Sequence, residues 1–161
     1  MSSRAASADY STIMCGTDGS ESSYRAVDRA AAVARDAGAE LLLVCAYQPM
    51  SAREVQEARD ALGGEAYKVS GSTPADDVLR DAAERARAVG AKKVEVEAIE
   101  GDAVDKLVGA AKEHDVDLVV VGNRGLNSLA GRLLGSVPAN MSHRVACDVL
   151  IVHTTGRGAN K

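Results

Sequence analysis

The sequence has no phenylalanine and no tryptophan, and 4 tyrosines are its whole aromatic content. A core without large rings must be assembled from Ala, Val, Leu and Ile, which favours helices packed closely on a Val-rich sheet. Hydrophobic residues make up 46% of 161 residues, enough to build a core for one domain, while the chain is too short for two ordinary ones. A basic excess is also missing. The formal net charge of −4 argues against a general nucleic-acid binder, so any basic patch must be local. No run approaches the ~18 apolar residues of a membrane span, and the opening "MSSRAASADYS" lacks the apolar region of a signal peptide. A cytoplasmic protein with no membrane or nucleic-acid partner is therefore expected. Residues 1–8 and 155–161 read as loose tails around a domain at 9–154.

Cysteine is scarce too. Cys15, Cys45 and Cys147 all fall in apolar runs, and an odd, unclustered set argues against a disulfide framework or a zinc site. They read as small buried hydrophobes in a reducing compartment. His114, His143 and His153 are far apart, lack triad spacing and read as surface or helix-end residues.

What is present is alternation. "TIMCGTD" (12–18) is an apolar run that ends in turn residues. It is followed by a helical stripe of Ala26, Val27, Ala30, Ala31, Ala34 and Ala37, with Ser20 placed to cap its start and Gly38 its end. "ELLLVCAY" (40–47) is apolar almost throughout, as a strand buried on both faces would be. Residues 48–72 break the rhythm; they are polar, hold Gly63-Gly64 and read as a long surface insertion. A helix then starts at Thr73-Pro74 with a stripe of Val78, Leu79, Ala82, Ala83 and Ala86. "KKVEVEAIEG" (92–101) alternates strictly and suits a half-exposed strand near an edge. A helix capped by Asp102 (102–114), a buried strand "DLVVVG" (117–122), a short helix (137–146) and a last strand (147–154) complete the chain. This β/α alternation predicts an α/β fold with a parallel sheet, helices on both faces and right-handed crossovers. Ligands of such sheets bind beyond the carboxyl ends of the strands, where the strand order reverses.

Two loops fall at those ends. In "GTDGSES", Asp18 closes the first strand; a carboxylate there suits a ribose hydroxyl or a metal, or satisfies backbone N–H groups as a turn residue. The second loop, "VGNRGLNSLAGRLLGSVPAN" (121–140), has four glycines, two arginines and no acid in a chain with 23 acids. It spells Gly122-x-x-Gly125, nine residues, then Gly135-Ser136 at the mouth of a helix. Glycines let backbone N–H groups approach an anion, and a helix N-terminus adds partial positive charge and free N–H donors. Ser136 supplies a hydroxyl, Arg124 lies between the first glycines, and Arg132 is placed to approach. If the first and fourth strands are neighbours, the two loops flank one crevice. A ribose would then rest on Asp18, phosphates on the glycine loop, and a base against Cys45 and Ala46, where small side chains leave room.

Enzymatic alternatives lack their signatures. A P-loop NTPase needs Lys after its glycines, and 121–140 has none. A dinucleotide dehydrogenase needs three close glycines after its first strand, and only Gly16 and Gly19 are there. The expectation is a binding protein that is not an enzyme, or at most a weak ATPase. A nucleotide-free interaction module is the remaining alternative.

Taken together, "CGTDGSESS", the Gly122-x-x-Gly125-x9-Gly135-Ser136 motif and "VPANMSHRVACDVLIV" resemble the universal stress protein family over residues 9–154, in its ATP-binding, glycine-motif branch. "VPAN" and "AYQP" are most similar to small actinobacterial members, some of which bind cyclic AMP. The resemblance implies an open five-stranded sheet of order 3-2-1-4-5, Rossmann-like and akin to adenine nucleotide alpha hydrolases. It implies ATP or cyclic AMP as ligand, magnesium as a companion of ATP, a stress-response role and a homodimer through the last strand (147–154). By position, Gly16, Thr17 and Asp18 would meet the ribose, and the backbone near Cys45 and Ala46 the adenine. Val121, Gly122, Gly125, Gly135, Ser136 and Val137 would line the phosphates. Gly16 departs from the Pro or Val common in the family at that position.

Overall fold

The computed structural model describes residues 9–48, 53, 56, 57, 60, 74–123 and 136–154. In chain order the elements are β1 (Thr12–Gly16), α1 (Glu21–Ala37), β2 (Glu40–Tyr47), α2 (Pro74–Val89), β3 (Lys93–Glu100), α3 (Ala103–Glu113), β4 (Leu118–Gly122), α4 (Ser136–Arg144) and β5 (Asp148–Val152). The five strands form one sheet in the order β3-β2-β1-β4-β5, and every pairing is parallel. This is the expected doubly wound order. Its reversal point lies between β1 and β4, where Met14 pairs with Val119 and Cys15 with Val120.

The strand period of two divides the core into halves. Ile13 and Cys15 of β1, Leu41 and Leu43 of β2, and Leu118 and Val120 of β4 face α1 and α2. Met14, Leu42, Val44, Val119 and Val121 face α3 and α4. The helices meet the sheet with small residues: Ala26, Ala30, Ala31 and Ala34 from α1, and Ala82, Ala83 and Ala86 from α2. Alanine faces allow helix axes to lie close to the sheet, which suits a core that has no Phe or Trp to fill a wider gap. The stripe of α1 stops at Ala34, and Ala37 is exposed in the turn before Gly38, the left-handed C-cap. The start of α1 is closed by Ser20, whose side chain accepts from the Ser23 N–H.

The final elements begin and end slightly differently from the sequence expectation. Helix α4 starts at Ser136 and ends at Arg144, and β5 covers only Asp148–Val152. The N-terminal end of the sheet is tied by Asp117, whose Oδ2 accepts from the backbone N–H groups of Ser11 (2.8 Å) and Thr12 (2.9 Å). Strand β3 is an edge, and Val96 on it is 47% exposed. Strand β5 is the other edge. Among the described residues, no helix is long and apolar enough to cross a membrane. Thr73, both tails and nearly all of the 48–72 insertion lie outside the described residues.

Candidate functional site

Because β1 and β4 are neighbours, the chain leaves the centre of the sheet at two adjacent points and in opposite directions. After β1 it enters α1 on one face; β4 leads towards α4 on the other. A small cleft, open to solvent, forms between these exits. Its floor is the strand ends, Gly16, Val121 and Gly122. The first turn of α1 supplies Ser20, Ser22 and Ser23 to its walls, while Leu107 of α3 and Val137 of α4 close the opposite side.

The two glycines act on different faces. A Cβ on Gly16 would stand 3.0 Å from Leu107 Cδ1, on the α3 side. At Gly122 it would stand 3.3 Å from Thr154 Cγ2 and 3.9 Å from the Ser22 carbonyl oxygen, on the α1 side. Among described glycines, Gly122 is not one with positive φ, so space and not backbone conformation calls for glycine there.

Around the β1 exit the polar groups are already ordered. Thr17 is 1% exposed, and its N–H donates to the Val44 carbonyl (2.9 Å). Its hydroxyl lies 2.7 Å from that of Ser23 and accepts from the Gly19 N–H at 3.2 Å. Ser23 donates to the Ser20 carbonyl (2.9 Å), so the proton between the two hydroxyls belongs to Thr17. Asp18 is exposed, and its Oδ1 accepts from the Ser20 N–H at 2.9 Å. The turn engages one oxygen of that carboxylate, so both functions considered for Asp18 are compatible with its geometry.

At the end of the neighbouring strand, Cys45 is buried and Ala46 half-buried. Burial pushes the Cys45 thiol up, and the charges of Asp18 and Asp76 add to the effect, so the sulfur is a neutral, apolar surface. Thr17, Asp18, Cys45 and Ala46 border the β1 and β2 exits without lining the cleft itself. Arg124, Gly125, Arg132 and Gly135 lie outside the described residues; Ser136 is the first residue of α4, and its side chain is likewise outside them. No acid occupies the first turn of α4, leaving the partial positive charge of its N-terminus uncompensated from within the helix.

Sequence reasoning missed two parts of this site. Leu107 was indistinguishable from any other apolar residue on a helical stripe. The second part is a polar junction behind Gly122, in which Ser22, Asn123 and Thr154 join α1, β4 and the end of β5. Nothing in the spacing of these generic hydroxyl and amide residues signals that they meet. Away from the cleft, Glu97 and His114 form a partly exposed pair at 2.9 Å, with Glu113 close by.

Comparison with known proteins bears on what this architecture is. The model of the universal stress protein family matches residues 9–153. The chain belongs to the universal stress protein family. Universal stress protein Rv1636 of Mycobacterium tuberculosis is 56% identical over 146 residues, covering 91% of this chain and 98% of that protein. Its crystal structure superposes with a TM-score of 0.58 at 48% identity, over 92% of this chain and 99% of the solved one. A universal stress protein solved in complex with cAMP gives a TM-score of 0.69 at 44% identity, covering 92% of this chain and 100% of the other. The family fold and the similarity to small actinobacterial members, both expected from the motifs, are therefore established.

Proposed function

We propose that this universal stress protein binds an adenine nucleotide, ATP or cyclic AMP, in the cleft between β1 and β4. It would act as a sensor or nucleotide sink in the stress response, without turning the nucleotide over. The observation that carries this reading is the convergence of two glycine-ended strands, Gly16 and Gly122, on a cleft between the start of α1 and the start of α4. Bare backbone and an acid-free helix N-terminus suit a phosphate. The exposed carboxylate of Asp18 at the rim suits a ribose hydroxyl. A relative 44% identical, solved with cAMP, supports cyclic AMP as one ligand. Magnesium would accompany ATP, not cyclic AMP.

A homodimer through β5 and a cytoplasmic location go with this reading. The first is motivated by an apolar edge strand, and the second by free thiols at Cys15, Cys45 and Cys147. Asp18 also favours one second reading, slow ATP hydrolysis, because it is a carboxylate available to hold a water or a metal. Calorimetric titration with ATP, AMP and cyclic AMP, with and without magnesium, tests the main proposal. Saturable one-site binding of at least one of them is expected, and no heat from any of them would leave the nucleotide-free interaction module as the better reading.

A further inference from the structure

Thr154 lies two residues beyond the end of β5, is 1% exposed and has every polar atom engaged. Its N–H donates to Asn123 Oδ1 at 2.8 Å, and its hydroxyl donates to the same oxygen at 3.0 Å. Its carbonyl accepts from Arg25 Nη1 at 2.8 Å, and its Oγ1 lies 2.5 Å from the Ser22 hydroxyl. One residue thus holds the first turns of α1 and the residue that follows β4. Asn123 is fixed from a second side, because its own N–H donates to the Val152 carbonyl at 2.8 Å and extends the β4–β5 ladder by one step. Between these groups sits Gly122, with the Thr154 methyl group occupying the space a side chain would need.

The junction also has a direction. A carbonyl oxygen accepts and never donates, so the single Thr154 hydroxyl proton is committed to Asn123. The short contact with Ser22 must then use the Ser22 proton. Ser22 is one of the residues that line the cleft, and with its proton committed to Thr154 its hydroxyl can only accept from a bound ligand. Such an oxygen suits a donor on the ligand, a ribose hydroxyl or an amino group.

We propose that Thr154 is a positioning residue of the nucleotide cleft: through Ser22 and Asn123 it fixes the wall behind Gly122 and sets Ser22 as a hydrogen-bond acceptor. This rests on the nucleotide-binding reading given above. A merely structural Thr154 would stabilise the end of β5 and leave binding alone. A positioning Thr154 acts through Ser22, so removing either residue has the same consequence for the ligand, and removing both adds nothing.

The test is a double-mutant cycle read by calorimetric titration with cyclic AMP and with ATP, on the full chain, alongside thermal unfolding. Thr154→Val keeps a methyl beside Gly122 and deletes the hydroxyl; we expect nucleotide affinity to fall about tenfold, equivalent to ~1.4 kcal/mol. Thr154→Ser restores the hydroxyl and should bind within about twofold of the unaltered protein, a factor of roughly 0.4 kcal/mol. Ser22→Ala should weaken binding to a similar extent, and the Ser22→Ala/Thr154→Val protein should be no weaker than the worse single variant. Unaltered affinity in Thr154→Val, no rescue by Thr154→Ser, or additive losses in the double variant would each overturn the proposal. If Thr154→Val does not fold, Ser22→Ala and Thr154→Ser decide: unaltered affinity in the first, or a tenfold loss in the second, overturns it. Failure of the unaltered protein to bind either probe is a different result, and sinks the nucleotide reading itself.

Discussion

The space that a side chain at Gly16 would fill is taken by Leu107, whose δ-carbons stand 3.0 and 3.1 Å from the Cβ position. One residue ends the first strand and the other comes from α3, and together they form one side of the cleft. The pair explains how this chain accommodates glycine where Pro or Val would narrow the exit of β1. Leu107 is buried and packed among Met14, Val121 and Val137, so it has little room to retreat. Gly16→Ala should therefore cost about 1–3 kcal/mol through overpacking, and Leu107→Ala about 2–5 kcal/mol through the cavity it leaves. Combined, the two changes should cost less than their sum, because the added methyl partly fills that cavity. Urea unfolding of the three variants checks this; strictly additive losses would refute direct coupling.

Gly122→Ala should weaken binding of ATP and cyclic AMP by tenfold or more, about 1.4 kcal/mol, while the protein still folds. The added methyl would press on Thr154 Cγ2 at 3.3 Å, a contact relieved by a shift of a few tenths of an ångström. That shift moves the strand end and the junction behind it. A folded variant with unaltered affinity would remove Gly122 from the site.

Much of the fold was legible because burial on both faces leaves a mark on composition. The runs "LLLV" in β2 and "LVVV" in β4 are too apolar for any position but the middle of the sheet, and they stand there, flanking β1. The alternation of "KVEVEAIE" placed β3 at an edge for the opposite reason. Element ends were less legible. The Val145 N–H still bonds the Met141 carbonyl at 3.2 Å one residue past α4, so local pattern continues where the helix has stopped. For the site, Gly122 could be read because it opens the Gly122-x-x-Gly125-x9-Gly135-Ser136 spacing, and Gly16 through its position in the family resemblance. The Ser22–Thr154 pairing could not, since its partners are 132 residues apart and neither is distinctive alone.

A homodimer through β5 is expected at micromolar concentration. Among the described residues β3 and β5 each pair on one side only, but β3 carries Glu95 and Glu97, whereas the interior of β5 is Val149, Leu150 and Ile151. Charged edges discourage pairing and apolar edges invite it. Ile151→Pro removes a ladder donor and should shift the sedimenting mass to monomer. A monomeric unaltered protein would refute the dimer.

Stability should decline as pH rises above 9. Burial, with a smaller contribution from Asp28, pushes the Cys15 thiol up from 9.0 to about 12. In the unfolded chain this thiol loses its proton near pH 9, while in the folded chain it keeps it, so the native state binds more protons across that window and ΔG falls with pH. The slope from this group approaches about 1.4 kcal/mol per pH unit, and it ends once the folded thiol also ionises. Cys15→Ala should show a shallower decline between pH 9 and 11 in urea unfolding. An identical slope in both proteins would show that other groups dominate.

Turnover of ATP should stay far below an ordinary enzymatic rate of ~1 s⁻¹. Phosphoanhydride hydrolysis needs a positioned water, and charge on three or four phosphate oxygens must be balanced, usually by a metal. Among the described residues at the cleft, the hydroxyls of Ser22 and Ser23 are already engaged with Thr154, Thr17 and the Ser20 carbonyl, and Ser20 caps α1. Asp18 is the carboxylate at the rim, with one oxygen held by the Ser20 N–H. One partly occupied carboxylate can orient a ribose more readily than it can assemble a metal centre. A ligand with a single phosphate charge suits such a site better than a triphosphate, so cyclic AMP should compete effectively with ATP. Asp18→Asn should weaken both ligands with no change in a negligible ATPase rate. Release of phosphate at ~1 s⁻¹ or faster, abolished by Asp18→Asn, would establish the chain as an enzyme instead. ATP binding far tighter than cyclic AMP in the absence of magnesium would overturn the ligand preference.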